Sequence, residues 1–125
     1  MASKQIPLIT LAYVASAAIG KYRFVKIATS THKVSQCADD EMAAGVALES
    51  AAADGDVITV GILGVFPVEA VEAIAAQLGI STGADGKAEK SEIDSPILGF
   101  ALEDIAQDEV GMAFICPVKA LSIAS

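Results

Sequence analysis

The chain has 125 residues and a net charge of −8, with 54% hydrophobic and 19% charged residues, two cysteines, one histidine and no tryptophan. That is one ordinary domain, large enough to bury a core without staples and too apolar to be disordered. Lys4, Lys21, Arg23, Lys26 and Lys33 all precede the first acid, Asp39, so residues 1–36 carry +5 and the remainder −13. With 5% aromatics, the chain lacks the dense basic patch and interleaved rings of a nucleic-acid surface. The five basic residues read as a solvated face or as an N-terminal arm that docks on an acidic partner.

Residues 1–16 open with Lys4 and an apolar run from Ile6 to Ile19 that is too short to span a bilayer as a helix. Ala15-Ser16-Ala17 has the small-x-small look of a signal cleavage site. The segment is an extended N-terminal arm, or else the first strand of the domain. Tyr22 to Thr29 alternates and is rich in Phe, Val and Ile, as a half-buried strand is, and Thr31 to Ser35 can return as its hairpin partner. Ala44 to Glu49 is a short strand, and the Asp54-Gly55 turn leads into a strand from Val57 to Leu63. Pro67 to Gly79 places Val68, Val71, Ile74 or Ala75, and Leu78 on one helical face. Pro67 suits a first turn, Gly79 a C-terminal cap, and Glu69 and Glu72 the positive end of the dipole. This predicts one short linking helix over 67–79. Asp85-Gly86 then joins a strand at Gly79–Thr82 to one at Lys87–Lys90, and Ile97–Leu102 and Val110–Ile115 complete the set.

Internal similarity organises these elements. Gly45-Val46-Ala47-Leu48-Glu49 recurs as Gly99-Phe100-Ala101-Leu102-Glu103. Each copy is followed by an Ala-rich acidic connector and an apolar run, Val57 to Leu63 in one and Val110 to Ile115 in the other. Upstream, Ala18-Ile19 pairs with Ala73-Ile74, so cleavage after Ala17 would cut into the fold. The fold class expected is mainly β, a small barrel or sandwich built from two tandem repeats with one linking helix and an N-terminal arm. The divisions are the arm at 1–16, a first β repeat at 17–66, the helix at 67–79, the rest of the second repeat at 80–117 and a tail at 118–125.

The chemistry of catalysis is missing. There is no phosphate-binding Gly-rich loop, no GxGxxG and no GxSxG elbow, and His32 has no second His or Cys beside it. Cys37 and Cys116 sit in no metal spacing and read as buried free thiols. Asp39-Asp40-Glu41 and Glu103-Asp104 fall where turns fall, solvated rather than enclosed, and no EF-hand spacing occurs. No enzyme, cofactor or metal is expected.

The run Tyr22-Arg23-Phe24-Val25-Lys26-Ile27, then Ala44 to Glu49, an Ala/Gly/Asp turn, Val57-Ile58-Thr59-Val60 and Gly64, resembles the capsid cement, or head decoration, proteins of tailed bacteriophages. Ala84 to Ala88, Leu98 to Glu103 and Val110 to Ile115 repeat that pattern, and the resemblance covers about residues 17–116. It implies a non-enzymatic virion protein that binds the exterior of the expanded capsid and stabilises it. The implied partner is the major capsid protein, with a homo-oligomer, a trimer above all, on the shell and neither nucleic acid nor membrane. The protein would occupy the host cytoplasm before assembly. The candidate shell contacts are Ile6, Pro7, Leu8, Ile9 and Leu11, an apolar run that needs a cover, with Arg23 and Lys26 as nearby positive contacts. The competing readings are an exported bacterial β-domain with a signal-like N-terminus and a disulfide, and another virion component such as a tail subunit.

Overall fold

A computed structural model describes residues 6–28, 30–39, 41–91 and 97–116. Its strands are β1 (Ile6–Val14), β2 (Phe24–Ile27), β3 (Val34–Gln36), β4 (Gly45–Ala47), β5 (Val57–Glu69), β6 (Gly79–Thr82), β7 (Ala88–Lys90), β8 (Gly99–Ala101) and β9 (Val110–Ile115). They form one nine-stranded sheet in the order β3-β2-β4-β5-β9-β8-β6-β7, with β1 also on β5. The fold is mainly β, and the sheet curls into a half-barrel rather than dividing into the two layers of a sandwich.

Local chemistry accounts for the strands that were legible. In β2, Phe24 and Val25 are buried and Ile27 faces outward. Asp85 and Gly86 both take left-handed φ, +57° and +74°, as a tight connection between twisted strands demands, and Gly83 N–H closes the turn on Lys87 O at 2.6 Å. β6 starts and ends where the Asp85-Gly86 hairpin puts it.

The pairings fall into two matched sets. β2 pairs β3 and β4, and β4 pairs β5; β6 pairs β7 and β8, and β8 pairs β9. The registers correspond residue for residue. Val25 faces Gln36 as Ile80 faces Lys90, Phe24 faces Val46 as Gly79 faces Phe100, and Val46 faces Gly61 as Phe100 faces Phe114. The isolated bridges follow suit: Ile19 with Ala51 and Ile74 with Ile105, Ala15 with Val34 and Ala70 with Ala88. β5 is common to both sets. Its first part pairs with β1, Tyr13 facing Ile58, and its last part with β9, Val68 facing Gly111.

Two expectations are corrected. Residues 67–79 hold no helix. Pro67, Val68 and Glu69 continue β5 and face Met112, Gly111 and Val110. Beyond them, Val71 N–H donates to Ala88 O at 2.9 Å, Ile74 N–H to Ile105 O at 2.8 Å and Gln77 N–H to Ala101 O at 2.7 Å. Those amides find acceptors on segments remote in sequence instead of four residues back, and tertiary pairing outweighs a weak Ala-rich helical propensity. Leu78, assigned to the helix's buried stripe, is exposed. The second correction concerns the arm. Ile6 to Val14 is a strand of the chain's own sheet, paired from Ile6 opposite Val65 to Val14 opposite Val57 along an edge of β5 of matching length. Residues 1–5 and 117–125 lie outside the described part, and the tail at 118–125 falls there.

Two buried clusters support the sheet. One gathers Ala15, Ile19, Val25, Val34, Ala47, Ala51, Ile58 and Val60. The larger holds the counterparts Ala70, Ile74, Ile80, Ala88, Ala101, Ile105 and Ala113, and adds Phe24, Cys37, Ala43, Val46, Phe66 and Leu98. Phe24 and Val46 come from the chain's first half and Phe66 from the strand shared with the second, so this cluster joins the halves.

Candidate functional site

β1 carries the apolar residues singled out from the sequence. Ile6, Pro7, Leu8, Ile9 and Leu11 lie along it, interrupted only by Thr10, and all are exposed, Leu8 at 63% and Leu11 at 48%. Only Tyr13 and Val14, at its end, are half-buried. An apolar strand paired along one edge with solvent on both faces leaves a large association surface. Pro7, opposite Gly64, removes one donor from that strand, as sheet edges tolerate. The register slips between Pro7 and Ile9 and again between Ile9 and Thr10, bending the strand there.

Arg23 and Lys26 are not brought to β1. They lie just before and within β2, which β4 and β5 separate from β1. Both charges are engaged inside the chain. Arg23 Nε meets Glu69 Oε1 at 3.3 Å, and Lys26 Nζ meets Glu41 Oε2 at 2.7 Å. Glu69 also takes Lys87 at 3.5 Å, so one carboxylate ties the loop before β2 to the turn before β7. Lys33 pairs with Asp54 at 2.9 Å, and Lys21 lies 4.9 Å from the Tyr22 ring centre.

The cysteines are free. Burial pushes the Cys37 thiol up to about 12, the Glu41 carboxylate adding to the rise. Glu41 itself is held below the usual carboxylate range by the Ala38 N–H at 2.7 Å and by the Lys26 ammonium, which is in turn raised by its hydrogen bond to Glu41. His32 is an exposed turn residue with φ +60°. Among the described residues no group of three His, Cys, Asp or Glu could hold a metal ion.

A second apolar surface escaped the sequence reading. Ile97, Phe100 and Leu102 are exposed, Ile97 at 52% and Phe100 at 41%, and the Phe100 and Phe114 rings lie 5.7 Å apart. Gln77, Gly79, Ile97, Gly99, Phe100, Phe114 and Cys116 line a shallow groove of about 350 Å³. The available signal was the two-residue spacing of Phe100 and Leu102, which puts both on one face opposite buried Ala101. The matching pentapeptide hid it, because Val46 at the corresponding place is buried.

One curled sheet with apolar side chains exposed along a terminal strand and over a groove defines a small all-β association module. A family model for phage cement protein matches residues 3–116, and the chain belongs to that family. It is a capsid-associated structural protein of the phage head. Among solved structures, the N base of head fiber gp8.5 of bacteriophage phi29 is similar in fold, with a TM-score of 0.72 at 21% identity over 89% of this chain and 96% of that one. No curated protein matches.

Proposed function

We propose that this protein binds the exterior of the expanded capsid, contacts the major capsid protein and stabilises the shell, without enzymatic activity, cofactor, nucleic acid or membrane. The observation that carries this reading is β1, an apolar strand exposed on both faces in a member of the cement family. Ile6, Pro7, Leu8, Ile9 and Leu11 are its shell-facing edge, offered by strand addition or by burial of their side chains. Arg23 and Lys26 contribute only by exchanging Glu69 and Glu41 for acids of the shell. The head-fiber base with the similar fold supports a place on the head. The protein accumulates in the host cytoplasm and joins the shell after expansion, as a homo-oligomer for which a trimer is favoured. Many weak contacts across a lattice then sum to firm attachment.

The matched registers also support a tandem origin, two β units of one design sharing β5. The test of stabilisation is the temperature at which expanded shells rupture, with and without saturating protein. A rise that Leu8→Asp abolishes supports the reading, and an unchanged rupture temperature removes it.

A further inference from the structure

The seam that joins the halves of the chain has a counterpart with nothing of this chain's described part upon it. Within the seam, Phe24, Val46 and Phe66 share the larger buried cluster. Gly61 makes room for them, since a Cβ there would stand 2.6 Å from the Phe66 ring. The matched registers carry Phe24 to Gly79, Val46 to Phe100 and Gly61 to Phe114. They carry Phe66 back to Leu11, because Leu11 faces Val60 as Phe66 faces Ala113. The seam is thus two Phe, one Val and one Gly; its counterpart is two Phe, one Leu and one Gly. Position by position the residues differ, yet the combined volume is nearly conserved, which is what a packed contact requires.

The rest of the seam translates as well. Glu69 N–H donates to Tyr22 O at 3.1 Å across it, and Val14 and Gln77 stand at the corresponding places. The Arg23–Glu69 ion pair becomes Leu78 and Val14, an exposed and a half-buried apolar residue. One end of the molecule therefore presents the groove of Gly79, Phe100 and Phe114, and the other presents Leu11 on β1.

We infer that a second copy of this chain covers the groove. Leu11 of one copy seats against Gly79, Phe100 and Phe114 of the next, repeating between molecules the seam found within one. The inference rests on the homo-oligomer reading above and specifies its interface. The contact is heterologous, so copies follow head to tail and close into a ring where the rotation permits. Leu11, the last residue of the run assigned above to the shell, then serves the neighbouring copy instead, and Ile6, Pro7, Leu8 and Ile9 remain for the shell.

Leu11→Glu and Phe100→Glu test this in the absence of shells. Both residues are exposed in the single chain, so both variants fold, and a thermal melt checks that they do. In sedimentation velocity the wild type runs as an oligomer and each variant as a monomer. An equimolar mixture of the two gives a one-to-one dimer, because one intact groove and one intact β1 remain between them. A wild type that stays monomeric at high concentration means the groove is covered by residues 117–125 or by a capsid subunit, and overturns the inference. So do variants that keep the wild-type mass, or a mixture that stays monomeric. An oligomer disrupted as described that ignores expanded shells upholds the interface and removes the shell reading alone.

Discussion

Thr82 lies fully buried in β6, and among the described residues its Oγ1 has no hydrogen-bond partner. A buried hydroxyl left unpaired costs about 1–3 kcal/mol of desolvation, and Val matches its shape. Thr82→Val is expected to raise the unfolding free energy by about 1 kcal/mol in urea denaturation; a loss of stability contradicts the assignment. Cys37 makes a second residue-scale prediction. Its thiol, held protonated by burial, stays unlabelled in the folded protein at mildly alkaline pH, whereas half-buried Cys116, in the lining of the groove, reacts in the monomeric Phe100→Glu variant. Equal labelling rates before unfolding contradict the described burial. Glu41 sets a pH dependence. Its carboxyl is lower in the folded chain than in the unfolded one, so its contribution is present above the unfolded value and is lost as pH falls through the folded value. Because the Lys26 pair is exposed, the effect is under about 1 kcal/mol. Glu41→Gln flattens the acid limb of a plot of Tm against pH by lowering Tm slightly near neutrality while leaving the acid end nearly unchanged; an unchanged acid limb refutes the role. None of these pairings was legible in the sequence, since the relevant partner of Arg23 is Glu69 and that of Lys26 is Glu41, and neither spacing is a local motif.

At the scale of elements, Gly61 is a point of close side-chain packing in the long central strand. Gly61→Ala forces the Phe66 ring aside within a buried cluster, at a cost of about 1–3 kcal/mol read from denaturation midpoints. A neutral result means the ring relocates freely and the seam is loosely packed. Strands with clear alternation or a turn dipeptide beside them could be placed from the sequence, as Gly79–Thr82 and Val110–Ile115 were. The segment after Pro67 could not. Val68, Val71, Ile74 and Leu78 fit a helical face, but Ile105 and Ala88, which capture that segment's amides, are remote in sequence. β1 was ambiguous for the same reason. An apolar run announces that it needs a partner, and only the pairing with Val57–Val65 says that one edge finds it inside the chain. The groove at Phe100 was hidden by the similarity that revealed the repeat pattern, since corresponding residues are buried in one half and exposed in the other.

The whole molecule is acidic, with its apolar residues exposed at β1 and around the groove. A net charge far from zero favours solubility, and in the proposed reading the two apolar surfaces are the places of attachment. Membership of the cement family supplies the setting, a capsid, and the geometry supplies the means, a terminal strand with uncovered side chains. The most direct measurement is co-sedimentation of the purified protein with expanded shells of the co-encoded major capsid protein, beside unexpanded shells. Saturable binding to the expanded shells alone, at a stoichiometry commensurate with the lattice, is the result this account predicts. Binding to neither form contradicts it.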